Sequence, residues 1–241
     1  MILISGPCVI ESCSHVRMMA EALRDIVKDY PVEWYFKASF DKANRTKLSS
    51  FRGPGFTNGL KWMGEVREDF GIKTTTDFHE VWQVESGGSF VDVVQIPAFL
   101  CKQTDLLVAA GKTGKTVNIK KGQFASVGDM RSAATKVGGE TWFTERGTAY
   151  GRELLIDYNN IPLLKSNKVI MDCTHPSCGP MNALYIAKRA IVSGVNGIFA
   201  EVHDNPKGAL CDGNRSIPLD DFRNFLDQIC SLWEFSSRNI A

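Results

Sequence analysis

The chain has 241 residues, of which 44% are hydrophobic and 23% charged, and its net charge is +1. Such a chain is globular and long enough to bury a substantial core. Its balanced charge supplies no overall field for nucleic acid or a membrane surface, so any anion binding must come from local clusters. In chain order, short apolar runs recur as ILIS (2–5), WYFKAS (34–39), KTTTD (73–77), VDVVQI (91–96), TVNIK (116–120), TWFTE (141–145), KVIMD (168–172) and GIFAEV (197–202). Their continuous apolar character suits parallel strands buried on both faces. Helical spacing marks 15–30, with Ser14 as the expected N-cap, then 58–71, ending in Gly, and 106–114, 181–194 and 219–235. The C-terminal SSRNIA is expected to fray.

Eight strands alternating with helices predict a (β/α)8 TIM barrel spanning 1–241 as a single domain. A doubly wound open sheet is the rival. The barrel is preferred because eight units fill the chain, with no linker or low-complexity stretch between them. The seven Cys, at 8, 13, 101, 173, 178, 211 and 230, are odd in number and lack small-scaffold spacing. They argue against a disulfide framework and for a reducing, cytoplasmic setting. MILISGPCVIES has no basic region and too short an apolar run for a signal peptide. No window approaches the roughly 18 to 20 apolar residues of a membrane span.

In such a barrel, reactive side chains gather at the C-terminal ends of the strands. Those ends here carry Cys8, Lys37, Asp77 with His79, Gln95, Lys120, Arg146, His175, and Glu201 with His203. Eight such ends in one register predict that a single site is being lined. Lys37, Lys42, Lys120 and Arg146 are expected to converge on the mouth and be balanced by an anion such as a small phosphorylated carboxylate. The alternative for each is a cation that snorkels to solvent or pairs with a nearby acid. Strand 8 closes onto strand 1, which brings Cys8, His175, Glu201 and Asp212 together. This mixed set suits Zn²⁺, Fe²⁺ or Mn²⁺ more than Mg²⁺. Taken alone, Cys8 reads better as a small buried hydrophobe than as a ligand. Arg52, in SFRGPG (50–55), either aids a phosphate or serves a tight loop. No G-x-S-x-G elbow, Walker A or post-strand G-x-G-x-x-G occurs.

FKASFDKANR followed by SFRGPG resembles the 3-deoxy-D-manno-octulosonate 8-phosphate synthases. So do GPCVIES, TTTDFHE (74–80), QIPAFLCKQTDLL (95–107), VNIKKGQF (117–124), TERGTAYG (144–151) and FAEVHDNPKGALCDG (199–213). The resemblance spans nearly the whole chain in strand order. It implies a homotetrameric barrel that condenses phosphoenolpyruvate with D-arabinose 5-phosphate and water, in the service of a cell-surface glycan. It implies Lys37, Lys42, Lys120 and Arg146 on phosphoenolpyruvate, with His175 among the catalytic groups. Asn44, Arg45 and Thr46 would hold arabinose 5-phosphate, Arg45 on its phosphate, and Asp77, His79 and Gln95 would lie along the sugar. Asp41 is expected to orient Lys42, and Lys47 to be solvated. Metal-independent members carry Asn at the position of Cys8, so Cys8, His175, Glu201 and Asp212 imply the metal-dependent branch. Thr46 replaces the usual Ser. The segment after His175 is shorter than the Gly-rich loop of most members, TAYGRELLID is about one residue short, and 125–140 is trimmed. A short loop would weaken closure over the sugar. The runner-up is 3-deoxy-D-arabino-heptulosonate 7-phosphate synthase, using erythrose 4-phosphate. KANR argues against it, because those enzymes usually carry Lys-Pro-Arg-Thr there, and the short loop argues for it. A non-catalytic phosphosugar-binding barrel is the third reading; the intact cation and metal sets argue against it.

Overall fold

The computed structural model describes residues 1–149, 155–176 and 180–239. The strands are β1 (Ile2–Gly6), β2 (Glu33–Lys37), β3 (Lys73–Asp77), β4 (Val93–Ile96), β5 (Thr116–Lys120), β6 (Thr141–Glu145), β7 (Lys168–Asp172) and β8 (Gly197–His203). Each pairs in parallel with the next, and β8 pairs back onto β1 from Ile2↔Gly197 to Gly6↔Glu201, which closes the barrel. The (β/α)8 expectation holds, and the open-sheet rival is excluded by that closure. A short β9 (Ile217–Pro218) extends β8.

The intervening helices are α1 (Cys13–Val27), α2 (Phe56–Phe70), α3 (Val81–Gly87), α4 (Thr104–Lys112), α5 (Val127–Val137), α6 (Asn160–Leu164), α7 (Pro180–Val192) and α8 (Leu219–Asn239). Two expectations are corrected. The N-cap of α1 is Ser12, whose hydroxyl accepts from the His15 amide, and Ser14 lies inside the first turn. Of SSRNIA, expected to fray, residues 236–239 belong to α8, which runs to Asn239, and 240–241 lie outside the described residues. Gly71 ends α2 in the left-handed conformation, as the sequence predicts. No helix among the described residues is long and apolar enough to cross a membrane.

Strand alternation sorts the side chains. Outward residues such as Leu3, Phe36, Val94, Ile119, Phe143 and Ile198 join the main core beneath the helices. Inward residues early in the strands, Ile2, Ile4, Tyr35, Val93, Trp142, Ile170 and Phe199, form a separate apolar plug. Two residues further along each strand, the inward position turns polar: Lys37 after Tyr35, Gln95 after Val93, Thr144 after Trp142, Asp172 after Ile170 and Glu201 after Phe199. Gly6 occupies the matching position of β1. A Cβ there would lie 2.1 Å from the Lys37 carbonyl oxygen, so only glycine lets β1 approach β2 so closely.

Candidate active site

The strand ends open into a cavity of about 700 Å³. Its lining includes Lys37, Lys42, Asn44, Arg45, Thr46, Asp77, His79, Lys120, Arg146, His175 and Asp212, all expected from the sequence. Cys8, Gln95 and Glu201 lie one layer below, almost fully buried. Gln95 donates its amide to Asp77 Oδ1 and accepts from Asn118 at 3.1 Å; Asn118 in turn accepts from Thr144 at 2.8 Å. Strands β3 to β6 thus supply a hydrogen-bonded floor that fixes the Asp77 carboxylate. His203 does not join the mouth. It packs against His15, with ring centroids 4.8 Å apart, and its Nε2 lies 3.2 Å from Glu11 Oε1. Its Nδ1 lies 3.0 Å from the Asn205 amide nitrogen and 3.1 Å from Asp204 Oδ1. That arrangement ties the loop after β1 to the loop after β8.

The deep cations are balanced from within. Lys37 Nζ lies 3.9 Å from both Asp77 and Glu201, and it donates to Ser39 Oγ at 2.8 Å and to the Cys8 carbonyl at 3.2 Å. Lys42 Nζ lies 3.9 Å from Asp77 Oδ2, and Lys120 Nζ lies 2.9 Å from Asp172 Oδ2. The Lys120 ammonium also sits 3.9 Å from the centroid of Phe199, a cation–π contact with the top of the apolar plug. The sequence-based expectation that an external anion must balance all four cations therefore needs correction: three carboxylates already do much of it. The arginines differ. Among the described residues, Arg45, Arg146 and Arg215 face no carboxylate within ion-pair distance. Arg45 donates instead to the Leu210 carbonyl and Cys211 Sγ, and Arg215 to the His175 carbonyl.

The opening loop differs from expectation at Asp41. Its carboxylate is taken by Arg52, with Nε to Oδ1 at 2.8 Å, so Asp77 rather than Asp41 faces Lys42. Arg52 serves the loop and does not line the cavity. Lys47 is exposed at the rim, as expected.

Burial and charge set the protonation states. Burial alone would raise the Asp77 pKa, but Lys37, Lys42 and Lys120 overcome it and hold the carboxyl well below the usual range. Asp172 is likewise held low against burial by His175 and Lys120. Burial lowers the Lys120 pKa against the pull of Asp172, and burial lowers that of His175 against Asp172 and Glu201. For Lys42 the opposing carboxylates and thiols win, and its pKa rises well above the ordinary value.

His175, Glu201 and Asp212 offer ligand atoms within 4.8 Å of one another, and so do Cys8, Cys211 and Asp212. The expected four residues thus meet, joined through Asp212, and Cys211 is a fifth that sequence reasoning missed. Cys8 Sγ lies 3.3 Å from Asp212 Oδ2 and 3.3 Å from Cys211 Sγ. Two observations fit a divalent metal. Both oxygens of the buried Glu201 carboxylate lack a hydrogen-bond donor among the described residues. His175 Nδ1 lies 2.7 Å from Asp172 Oδ2, and its Nε2 faces Glu201 Oε1, 3.5 Å away, as a ligating imidazole backed by a carboxylate would. Asp172 was also missed from sequence, although it ends the run KVIMD. The segments TAYGRELLID and PSCGPMNALY, short by comparison with the resembled family, fall partly at 150–154 and 177–179, outside the described residues.

This charged mouth on a closed barrel can be set beside known proteins. Residues 1–238 match the DAHP synthetase I family. The chain belongs to that family. It is 44% identical over 96% of its length to the "2-dehydro-3-deoxyphosphooctonate aldolase" of Koribacter versatilis (strain Ellin345), of which 91% is covered. It is 42% identical over 94% of its length to the protein of that name from Citrifermentans bemidjiense, of which 90% is covered. The corresponding protein of Desulfatibacillum aliphaticivorans is 41% identical over 98% of this chain and 93% of its own length.

Proposed function

We propose that this chain condenses phosphoenolpyruvate with D-arabinose 5-phosphate and water, giving 3-deoxy-D-manno-octulosonate 8-phosphate and inorganic phosphate. The observation that carries the reading is the Asn44-Arg45-Thr46 run. It lines a mouth whose arginines lack carboxylate partners among the described residues, in a chain over 40% identical to octonate-aldolase relatives along nearly its whole length. The same relatives weigh against the heptulosonate alternative.

Lys37, Lys42, Lys120 and Arg146 hold phosphoenolpyruvate, and Asn44, Arg45 and Thr46 hold the sugar phosphate. Asp77 and His79 lie along the sugar, with Gln95 fixing Asp77 from below. Carbon 3 of the enol attacks the aldehyde, whose oxygen takes a proton, while water adds to carbon 2 and loses one; the bond from carbon 2 to the phosphate oxygen then breaks, releasing phosphate and leaving the ketone. The site must therefore stabilise a developing alkoxide beside developing positive charge. Asp77, Glu201 and Asp172 suit the positive centre; the lysines neutralise phosphate and alkoxide. Cys8, His175, Glu201 and Asp212 would hold a divalent Zn, Fe or Mn ion, which when bound would polarise the aldehyde or orient the water. Asp172 would keep the His175 ring in its ligating tautomer. The reading extends to one barrel domain over 1–241, a cytoplasmic location and a homotetramer.

The test is phosphate release from phosphoenolpyruvate with arabinose 5-phosphate or erythrose 4-phosphate, with and without a chelator. Turnover is expected with arabinose 5-phosphate and loss of it in chelator, restored by added metal. No turnover in metal-replete enzyme defeats the activity. Full turnover in chelator, with no metal found by elemental analysis, defeats the metal alone.

A further inference from the structure

The turn after β8 carries a cation that the strand-end pattern does not supply. The Arg215 amide donates to the Asp212 carbonyl at 2.9 Å, and the Ser216 amide does so at 3.2 Å. This tight turn sets Asn214 and Arg215 on the wall of the cavity. The Arg215 guanidinium spends one nitrogen, Nη1, on the carbonyl of His175. Its Nη2 and Nε have no protein acceptor among the described residues, and no carboxylate stands within ion-pair distance. A half-buried guanidinium fixed along one edge and unpaired along the other is preorganised for an anion.

We propose that Arg215 is a second guanidinium for the phosphate of the sugar substrate, and hence a specificity residue. The inference rests on the condensation reading above. Position distinguishes the sugar phosphate from phosphoenolpyruvate. Lys37, Lys42 and Lys120 stand over the buried carboxylates at the barrel floor, beside the Cys–His–carboxylate cluster where the new bond must form. Arg215 instead belongs to the outer turn. Arg45 reaches that same turn from the opposite loop, donating at 3.3 Å to the Leu210 carbonyl and also to Cys211 Sγ. Arg45 thus reaches the segment that carries Arg215, both line the same cavity, and a phosphate dianion has oxygens enough to accept from both.

Arg215→Gln keeps an N–H donor for the His175 carbonyl and removes the charge; Arg215→Lys keeps the charge. Arg215→Gln is expected to raise the KM for arabinose 5-phosphate about tenfold or more and leave that for phosphoenolpyruvate within about twofold. Arg215→Lys should recover most of the loss. Calorimetric titration with arabinose 5-phosphate should show the same weakening, and unphosphorylated arabinose should not distinguish the variants. An equal rise for phosphoenolpyruvate, a fall in kcat alone, or equal arabinose 5-phosphate affinity in wild type and Arg215→Gln overturns the inference. Its failure is separable from that of the activity itself, because the wild type alone reports whether arabinose 5-phosphate is turned over.

Discussion

The lower and upper halves of the barrel interior are built from the same eight strands and obey opposite energetics. Below, Ile4, Tyr35, Trp142, Ile170 and Phe199 close the barrel with apolar surface, each such side chain worth roughly 1.5–3 kcal/mol when fully buried. Above, two residues along, Lys37, Asp172 and Glu201 are as buried and carry charge. Removing such groups from water costs several kcal/mol per ion, and their pairing seldom returns more than an apolar replacement would. The upper half is therefore not there to stabilise the barrel. Phe199 joins the halves, with its ring beneath the ammoniums of Lys37 and Lys120.

The largest expected effect lies above. Lys120→Ala should cut kcat/KM about a thousandfold in steady-state assays, in the range of losing one preorganised charge contact. Lys112→Ala, on the exposed side of α4, should stay within about twofold of wild type; equal losses would break the assignment. Next comes the plug. Trp142→Ala should cost about 3–5 kcal/mol in urea unfolding while leaving kcat per folded molecule unchanged. A Trp142→Ala enzyme that stays stable but loses kcat would show that the halves are not separable.

The smallest effect concerns His79. Burial lowers its pKa from 6.5, against Asp77 and Asp41, so the folded state disfavours the proton. Its contribution to stability is complete above about pH 6.5 and is lost as pH falls through the lower folded value. His79→Gln should remove that acid-side slope, a difference on the order of 2 °C in Tm between pH 7 and pH 5. An unchanged slope would place the acid sensitivity elsewhere.

The fold was legible because the strands stand out as continuous apolar runs and the long helices by their helical period. Helices α3 and α6 escaped, with seven and five residues, too short for periodicity to speak. Helix α5 escaped although Ser126 and Asp129 form a capping box and Gly138 ends it; local caps outweighed a mediocre apolar pattern. In the site, strand-end residues were readable because register fixes their direction. Asp172 was hidden by attention to His175, three residues on, which it orients. Cys211 and Arg215 lie in a turn whose geometry no period encodes. Asp41 was misjudged because Arg52, eleven residues away, competes for it.

That turn hinges on Asp212, the one non-glycine residue with a positive φ, +49°, among the described residues. Asn or Gly would accept this backbone angle readily but bring no negative charge. Glu would bring the charge but is disfavoured at the angle. The following Gly213 offers no relief, since a Cβ there would lie 2.0 Å from the Pro206 carbonyl oxygen. Backbone and chemistry thus vote on the same side chain, and only Asp satisfies both. Any retuning of the cluster, by evolution or by design, has freer ground at Cys8 and Cys211 than at the carboxylate between them.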